Sequence, residues 1–402
     1  RIMCMKKGTV LNEVFDRLES CLKVIEGCEG CVFAKSEQYG WVTSCPTNLG
    51  SGMRASLHLA LPKLTKAGQD VSEAKAVAKT LGLSVRGAGG EHTAAGADGT
   101  VDISPSARLC IQESEIIAAL YKGVKLLMEK ETAAGAEPAA APDASPSAVD
   151  ADAATALATI AALKVSQPDN RMAKHFTEAY YNSLSAEKQK LLLLCCKSGY
   201  ENADSGMGLY AMSPTDYDEL KEYFDLVIRD YHGITGELQH VNNWDLSGVA
   251  DLPAGGKLDL TELGLGDTSM RVRVGRNLKD FPLPGNMTQD DRVTLEARMI
   301  TAFKTLIANP DFGGTYHTLT PDNEYSIDEA QYQALVDEHI MFKDMSVDPY
   351  LLSAGISMHW PFGRGCYVSQ DRSFIVWVGE EDHLRIMCMK KGTVLNEVFD
   401  RL

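Results

Sequence analysis

The first eighteen residues, RIMCMKKGTVLNEVFDRL (Arg1 to Leu18), return unchanged as the last eighteen, Arg385 to Leu402. No other feature restricts the architecture as much, because a repeat sets the unit that must fold. The copies start 384 residues apart. That period is too long for a solenoid unit, so the repeat is one of whole domains. The 402 residues then cover one period and an overlap, without an initiating Met. The expectation is a window of a longer tandem protein, opening partway through one unit and closing at the same strand of the next.

Residues 131–163 divide the chain. Pro138, Pro142 and Pro146 punctuate an Ala/Asp/Ser tract with no large apolar residue before Leu157. Such a composition predicts a flexible linker, turning helical near Ala153 to Leu163. Residues 1–130 mix strand patterns (CVFAKSEQYGWVTSCP, ASLHLALPKL) with a closing helix, ESEIIAALYKGVKLLMEK. Residues 164–255 read as an all-helical domain. SAEKQKLLLLCCKSG starts on a Ser cap and ends on a Gly stop, and TDYDELKEYFDLVIRDYHG runs from Thr215 to Gly233. Residues 256–402 return to strands and amphipathic helices: MRVRVGR, DRVTLEARMITAFKTLI, EAQYQALVDEHIMF, SFIVWVG.

A net charge of -16 argues against a sequence-independent nucleic-acid surface. The longest apolar run, LLLLCC (Leu191 to Cys196), is far short of a membrane span. The ten cysteines fall at irregular spacing, which predicts free thiols in a reducing, cytoplasmic setting. Cys28 and Cys31 form the one CxxC; without a second pair they read as solvent-facing turn thiols.

Four stretches carry candidate chemistry. In MRVRVGR, residues two apart share a strand face, so Arg271 and Arg273 offer two guanidinium forks to a polyphosphate; a solvated strand face is the bland alternative. In VTSCPTNLGSGMRASLH, Cys45 enters a Gly-rich turn whose glycines allow close ligand approach, with Arg54 and His58 beyond. VRGAGGEHTAAGADGTVDIS surrounds Glu91 and His92 with small residues, as a closing loop would, and Arg86 precedes it. WVGEEDHLR ends an apolar strand on Glu380 and Glu381.

CPTNLGSGMR, GEEDHLR, RVRVGR, RGAGGEHT and DSGMGLY together resemble the motifs of the phosphagen (ATP:guanido) kinases, most closely arginine kinases. They stand in family order once the tandem break is allowed for, and the likeness covers nearly everything outside the linker. Residues 1–130 would be the C-terminal part of one catalytic domain. Residues 164–255 and 256–402 would be the all-α domain and the first, truncated part of the next catalytic domain. The implied fold is α+β: a small all-α N-terminal domain and a larger domain with a mainly antiparallel sheet flanked by helices, a glutamine-synthetase-like catalytic domain.

The resemblance implies reversible phosphoryl transfer between MgATP and a guanidino substrate, L-arginine by preference, giving phosphoarginine for energy buffering. Arginine is preferred because a short DSGMGLY loop goes with larger guanidines in this family; taurocyamine, or another guanidine, is the close alternative. It implies ATP contacts from Ser269, Arg271, Arg273, His339, Arg54, Ser56, His58, Arg86 and Gly87, and from Arg385 or its copy Arg1. Glu381, Glu91 and Cys45 would act on the guanidinium. Ser205, Gly206, Met207, Gly208, Leu209 and Tyr210 would hold the substrate's amino-acid end. Mg2+ would be held through the ATP or ADP phosphates, with no protein metal site. Implied partners are the nucleotide, the guanidino amino acid and neighbouring kinase units of the same chain, with no nucleic acid and no membrane. Gly89, Ser51-Gly52 and Pro349 depart from the family pattern, and Pro349 removes an arginine expected to pair with Asp204 across the domains. The rivals are a non-catalytic kinase-fold scaffold and a protein-arginine kinase. Because the two pieces are complementary, the chain is expected to be able to close as one circularly permuted kinase, with the two copies of RIMCMKKG competing for one strand position.

Overall fold

The computed structural model describes residues 2–8, 10–87, 94–133, 153–266, 268–310 and 312–387; for 2–8, 254 and 385–387 it describes the backbone alone. Eleven strands are present among them: β1 (Ile2–Gly8), β2 (Lys35–Ser36), β3 (Gly40–Trp41), β4 (Met53–Ala60), β5 (Leu83–Gly87), β6 (Thr100–Pro105), β7 (Thr268–Arg276), β8 (Gly314–Thr318), β9 (Gly365–Ser369), β10 (Phe374–Val378) and β11 (Leu384–Met387). Seven form one antiparallel sheet in the order β1-β10-β11-β7-β4-β6-β5, with β1 also paired to β7. β4 to β6 precede the 131–163 tract and β7, β10 and β11 follow it. The two α/β segments therefore build a single sheet within this chain.

One face of that sheet is apolar. Met53, Ala55, Leu57, Val101, Ile103, Met270, Val272 and Val274 alternate inward and are fully buried. Helix Leu11–Glu26 covers them with Leu11, Val14, Phe15, Leu18, Cys21, Leu22 and Ile25, an i, i+3, i+4 stripe. Helices Glu113–Ala133 and Gln289–Ile307 contribute to the same core. Each large apolar side chain so covered contributes about 1.5–3 kcal/mol. The result is the α+β architecture of an antiparallel sheet flanked by helices, next to a small helical domain with its own core.

Helix Ala153–Ser166 belongs to that helical domain: Ala156, Ile160 and Leu163, from the last part of the 131–163 tract, are buried in its core. Ser185 caps helix Ala186–Glu201, and Gly233 stops helix Lys221–His232 in the left-handed conformation (φ 67). Three local expectations fail. Gly199 does not end its helix, which runs on to Glu201. Helix Glu329–Asp337 stops short of His339, whose φ of 57 is incompatible with helix. Beyond His232, residues 234–266 form only 3₁₀ turns and run across the sheet domain, where Asn243 N donates to Glu113 Oε2 (2.8 Å) and Lys122 Nζ to the Ala250 carbonyl (2.6 Å). Their Gly, Asn, Asp and Pro content favours turns over helix.

All eight described cysteines are free thiols. Cys31 is buried, not solvent-facing, because the turn after helix Leu11–Glu26 folds it into the sheet core. Among the described residues no helix is long and apolar enough to cross a membrane.

Candidate active site

Opposed residues of an antiparallel pair share a face. Arg54 stands opposite Arg273, Ser56 opposite Arg271, and His58 and Arg86 both opposite Asp102. The face turned away from the core therefore carries Arg54, Ser56, His58, Arg86, Arg271 and Arg273 together. Ser269, two residues before Arg271, lies in the same row and is buried; Gly87, opposite the inward-facing Val101, ends β5 on the other face. Position 385 stands opposite Gly275, one step beyond Arg273 on that face. The side chain of Arg385, and Arg1 and Glu91 altogether, lie outside the described residues.

The sequence reading missed what holds these arginines. Asp102 of β6 is 1% exposed. Its carboxylate accepts from Arg54 Nη2 at 2.6 Å and from Arg271 Nη2 at 2.7 Å, while Arg54 Nη1 and Arg271 Nε also reach Ser56 Oγ at 3.5 and 3.3 Å. Burial alone would raise the Asp102 carboxyl; the Arg54 and Arg271 guanidiniums overcome it and hold the group well below the usual carboxylate range. The one signal was a lone acid inside an apolar strand, TVDIS, which charge counting does not flag. Arg54 Nε is buried with no hydrogen-bond partner among the described residues.

A second cluster forms where the Cys45 loop meets the β10–β11 turn. Asp382 Oδ1 accepts from Ser44 N and from Asn277 Nδ2, each at 2.8 Å. His383 locks the turn from the other side, with Leu278 N donating to Nδ1 (3.0 Å) and Nε2 meeting the Pro282 carbonyl (2.8 Å). Cys45 and Glu381 each adjoin a residue of the Ser44–Asp382 bond, so the two are brought to one place, and both are buried. Cys45 Sγ lies 3.1 Å from Thr47 Oγ1. The glycines of this loop serve the protein itself. A Cβ on Gly50 (φ 97) would lie 2.7 Å from the Arg108 carbonyl, and one on Gly52 (φ 61) 2.8 Å from the Gly275 carbonyl.

The helical domain reaches the same place. Ala211 N donates to the Ser44 carbonyl (2.9 Å), and Tyr217 OH donates to the Thr43 carbonyl (2.8 Å). In the preceding loop Met207, Gly208 and Leu209 are buried, whereas Ser205, Gly206 and Tyr210 keep accessible surface. Gly199 explains the loop's position: a Cβ there would lie 2.5 Å from the Gly208 carbonyl. Its helix needs Gly for this crossing, not for a stop. Gly199→Ala is expected to push residues 205–210 away from the Cys45 loop. Limited proteolysis within residues 205–210, faster in the variant than in the parent, checks it.

His339 lines a cavity of about 500 Å³ together with Lys343, Trp377 and Glu380. Trp377 is opposite position 385, which is opposite Gly275, so this cavity lies on the arginine-bearing side of the sheet. The Trp377 indole N–H fixes the His339 loop through the Ile340 carbonyl (2.6 Å). Between the domains, Tyr350 OH donates to Asp204 Oδ2 at 2.7 Å, a phenol in place of the missing arginine.

Burial pushes four histidines, His58, His232, His240 and His383, down to about 4; for His58 the Arg271 and Arg54 charges add to this against Asp102. Each stays neutral when folded and takes a proton more readily when unfolded. Between pH 6.5 and about 4 the unfolded chain thus binds more protons, and stability falls as pH falls. The thermal midpoint is expected to be flat from pH 7 to 8 and to drop steadily below pH 6.5; calorimetry across that range measures it.

The family model "ATP:guanido phosphotransferase, C-terminal catalytic domain" matches residues 1–134 and 294–402, and the N-terminal domain model matches residues 166–229. An arginine kinase of Anthopleura japonica is 33% identical, with 100% of this chain and 52% of that protein covered. A taurocyamine kinase of Schistosoma mansoni is 30% identical (100% and 51% covered), and a flagellar creatine kinase of Strongylocentrotus purpuratus is 32% identical (100% and 33%). The chain thus spans about half the length, or less, of these curated relatives.

Proposed function

Since this chain belongs to the ATP:guanido phosphotransferase family, we propose that it transfers a phosphoryl group reversibly between MgATP and a guanidino substrate. The observation that carries the proposal is the row of Arg54, Arg271 and Arg273, the first two anchored on buried Asp102, together with the Ser44–Asp382 bond that Cys45 and Glu381 flank. Phosphoryl transfer spreads charge over the phosphoryl oxygens, and guanidiniums fixed in advance stabilise it without reorganising. Mg2+ would arrive on the nucleotide and neutralise part of its charge there. Glu381 would orient the guanidinium and accept the proton its attacking nitrogen must lose, and Cys45 would stand beside it. His339 and Trp377 border the cavity we assign to the nucleotide. Glu91, in the lid motif, is assigned with them from the sequence motif alone.

For the guanidine we favour L-arginine, on the short Ser205–Tyr210 loop. Taurocyamine is the second reading, supported by the alignment of all of this chain to about half of a taurocyamine kinase. A cytoplasmic role in energy buffering, beside further kinase units, completes the proposal. Initial rates of ADP release with arginine, taurocyamine and creatine test it. A clear preference for arginine is the expected result. No turnover with any guanidine overturns the catalytic reading in favour of a scaffold.

A further inference from the structure

The core-facing side of β7, which carries Val272 and Val274, ends on Arg276. Strand alternation turns Arg276 away from the Arg271–Arg273 row, and its partner Leu384 is buried in the same core. Arg276 is 1% exposed. Its Nη1 donates to the Ser51 and Gly275 carbonyls (3.1 and 2.8 Å), and its guanidinium carbon lies 4.4 Å from the centre of the Trp41 ring. Among the described residues no carboxylate pairs with it, and Nε has no hydrogen-bond partner. Burial pushes the group down only to about 10, so it keeps its charge at neutral pH. A buried charge without a partner is costly.

Arg276 lines a cavity of about 160 Å³ between helix Leu11–Glu26 and residues 242–244. Leu22, Trp41 and Trp244 give it apolar walls. Trp244 rests on the Phe15 ring (4.8 Å), and Asn242 Nδ2 donates to Glu113 Oε1 (2.8 Å), so that side is fixed in advance. Two more lining residues hold buried polar atoms with no hydrogen-bond partner among the described residues, the donor Trp41 Nε1 and the acceptor Asn242 Oδ1. Polar atoms in such numbers around one cavity point to a polar occupant. Glu19 and Glu26, seven residues apart on one helix face, line it from the solvent side. Lys23 neutralises Glu19 at 2.7 Å, whereas Glu26 makes no ion pair among the described residues.

The cavity therefore has a cation at its base and an anion at its rim. A simple anion would be repelled by Glu26, and a simple cation by Arg276. A molecule that carries both charges, carboxylate inward and ammonium outward, meets neither penalty. A cavity of about 150 Å³ takes up benzene, so this one has room for about six heavy atoms. We propose that it is a binding site for a small zwitterion, an α-amino acid of glycine or alanine size, with its carboxylate on Arg276 and its ammonium towards Glu26. The site lies across the sheet from the arginine row, and binding there requires no phosphoryl transfer.

Calorimetric titration of the full chain with glycine, alanine, acetate and methylammonium, at constant chloride, tests this. Glycine or alanine is expected to bind at millimolar concentration, about tenfold or more tighter than acetate or methylammonium, each of which lacks one of the two charge partners. Glu26→Gln, an exposed position outside the catalytic row, should weaken the amino acid about two- to fivefold, as for one partly screened ion pair, and should not weaken acetate. Acetate as tight as the amino acids would make this an anion site, and methylammonium as tight an acidic patch; either overturns the proposal. So does the absence of amino-acid binding, or a Glu26→Gln protein that binds as the parent does.

Discussion

In the proposed phosphoryl transfer, an Arg54→Ala protein is expected to be about 10³–10⁵-fold slower than the parent, as for loss of one arginine at a transferring phosphoryl group. That is a barrier rise of about 4–7 kcal/mol. The magnitude follows from the setting. Arg54 is 4% exposed, and its Nη2 is fixed 2.6 Å from Asp102. Such a donor meets the phosphoryl charge at nearly full strength, because little water screens it. Arg54→Lys should recover little, since a point charge cannot hold Asp102 and a phosphate with a planar fork. Stopped assays at saturating ATP distinguish the cases. A drop confined to KM for ATP, with kcat unchanged, would show that Arg54 binds nucleotide in the ground state only.

Removing the anchor should act on the fold as much as on the reaction. Asp102→Ala leaves Arg54 and Arg271 facing each other without the buried carboxylate between them. Breaking a buried ion pair by deleting one partner costs about 3–5 kcal/mol, a large share of a domain's stability. Urea unfolding measures it. ATP should stabilise the variant more than the parent, because phosphate oxygens can take over the unpaired guanidiniums. Equal stabilisation of both proteins would separate Asp102 from the nucleotide site.

Local signals in the sequence located the elements well where the local chain decides them. Ser185, Thr215 and Gly233 were legible as helix ends, although Thr215 turns its hydroxyl to Glu219 (3.0 Å) instead of a backbone N–H. The alternation of MRVRVGR gave a strand with its arginines on one face. Gly199 was read as a stop because its reason lies in another segment, the Gly208 carbonyl that crosses it. Asp102 was overlooked for the same cause: its partners come from β4 and β7, 48 and 169 residues away. Asp382 stands within GEEDHLR beside the more conspicuous glutamates, and only the folded chain brings it to Ser44 and Asn277. The motif residues were recognisable by resemblance; their mutual support is tertiary and has no local imprint.

The shared sheet has one more consequence. β4 pairs with β7 and carries β6 and β5 beyond it, and Asp382 grips Ser44, so the segments before residue 133 and after residue 153 hold each other by a main-chain ladder and buried apolar surface. The peptide connection through 134–152 then serves chiefly as a tether, raising the effective concentration of one half for the other. Severing it should leave a two-fragment complex that sediments as one particle, with each fragment acting as the other's folding template.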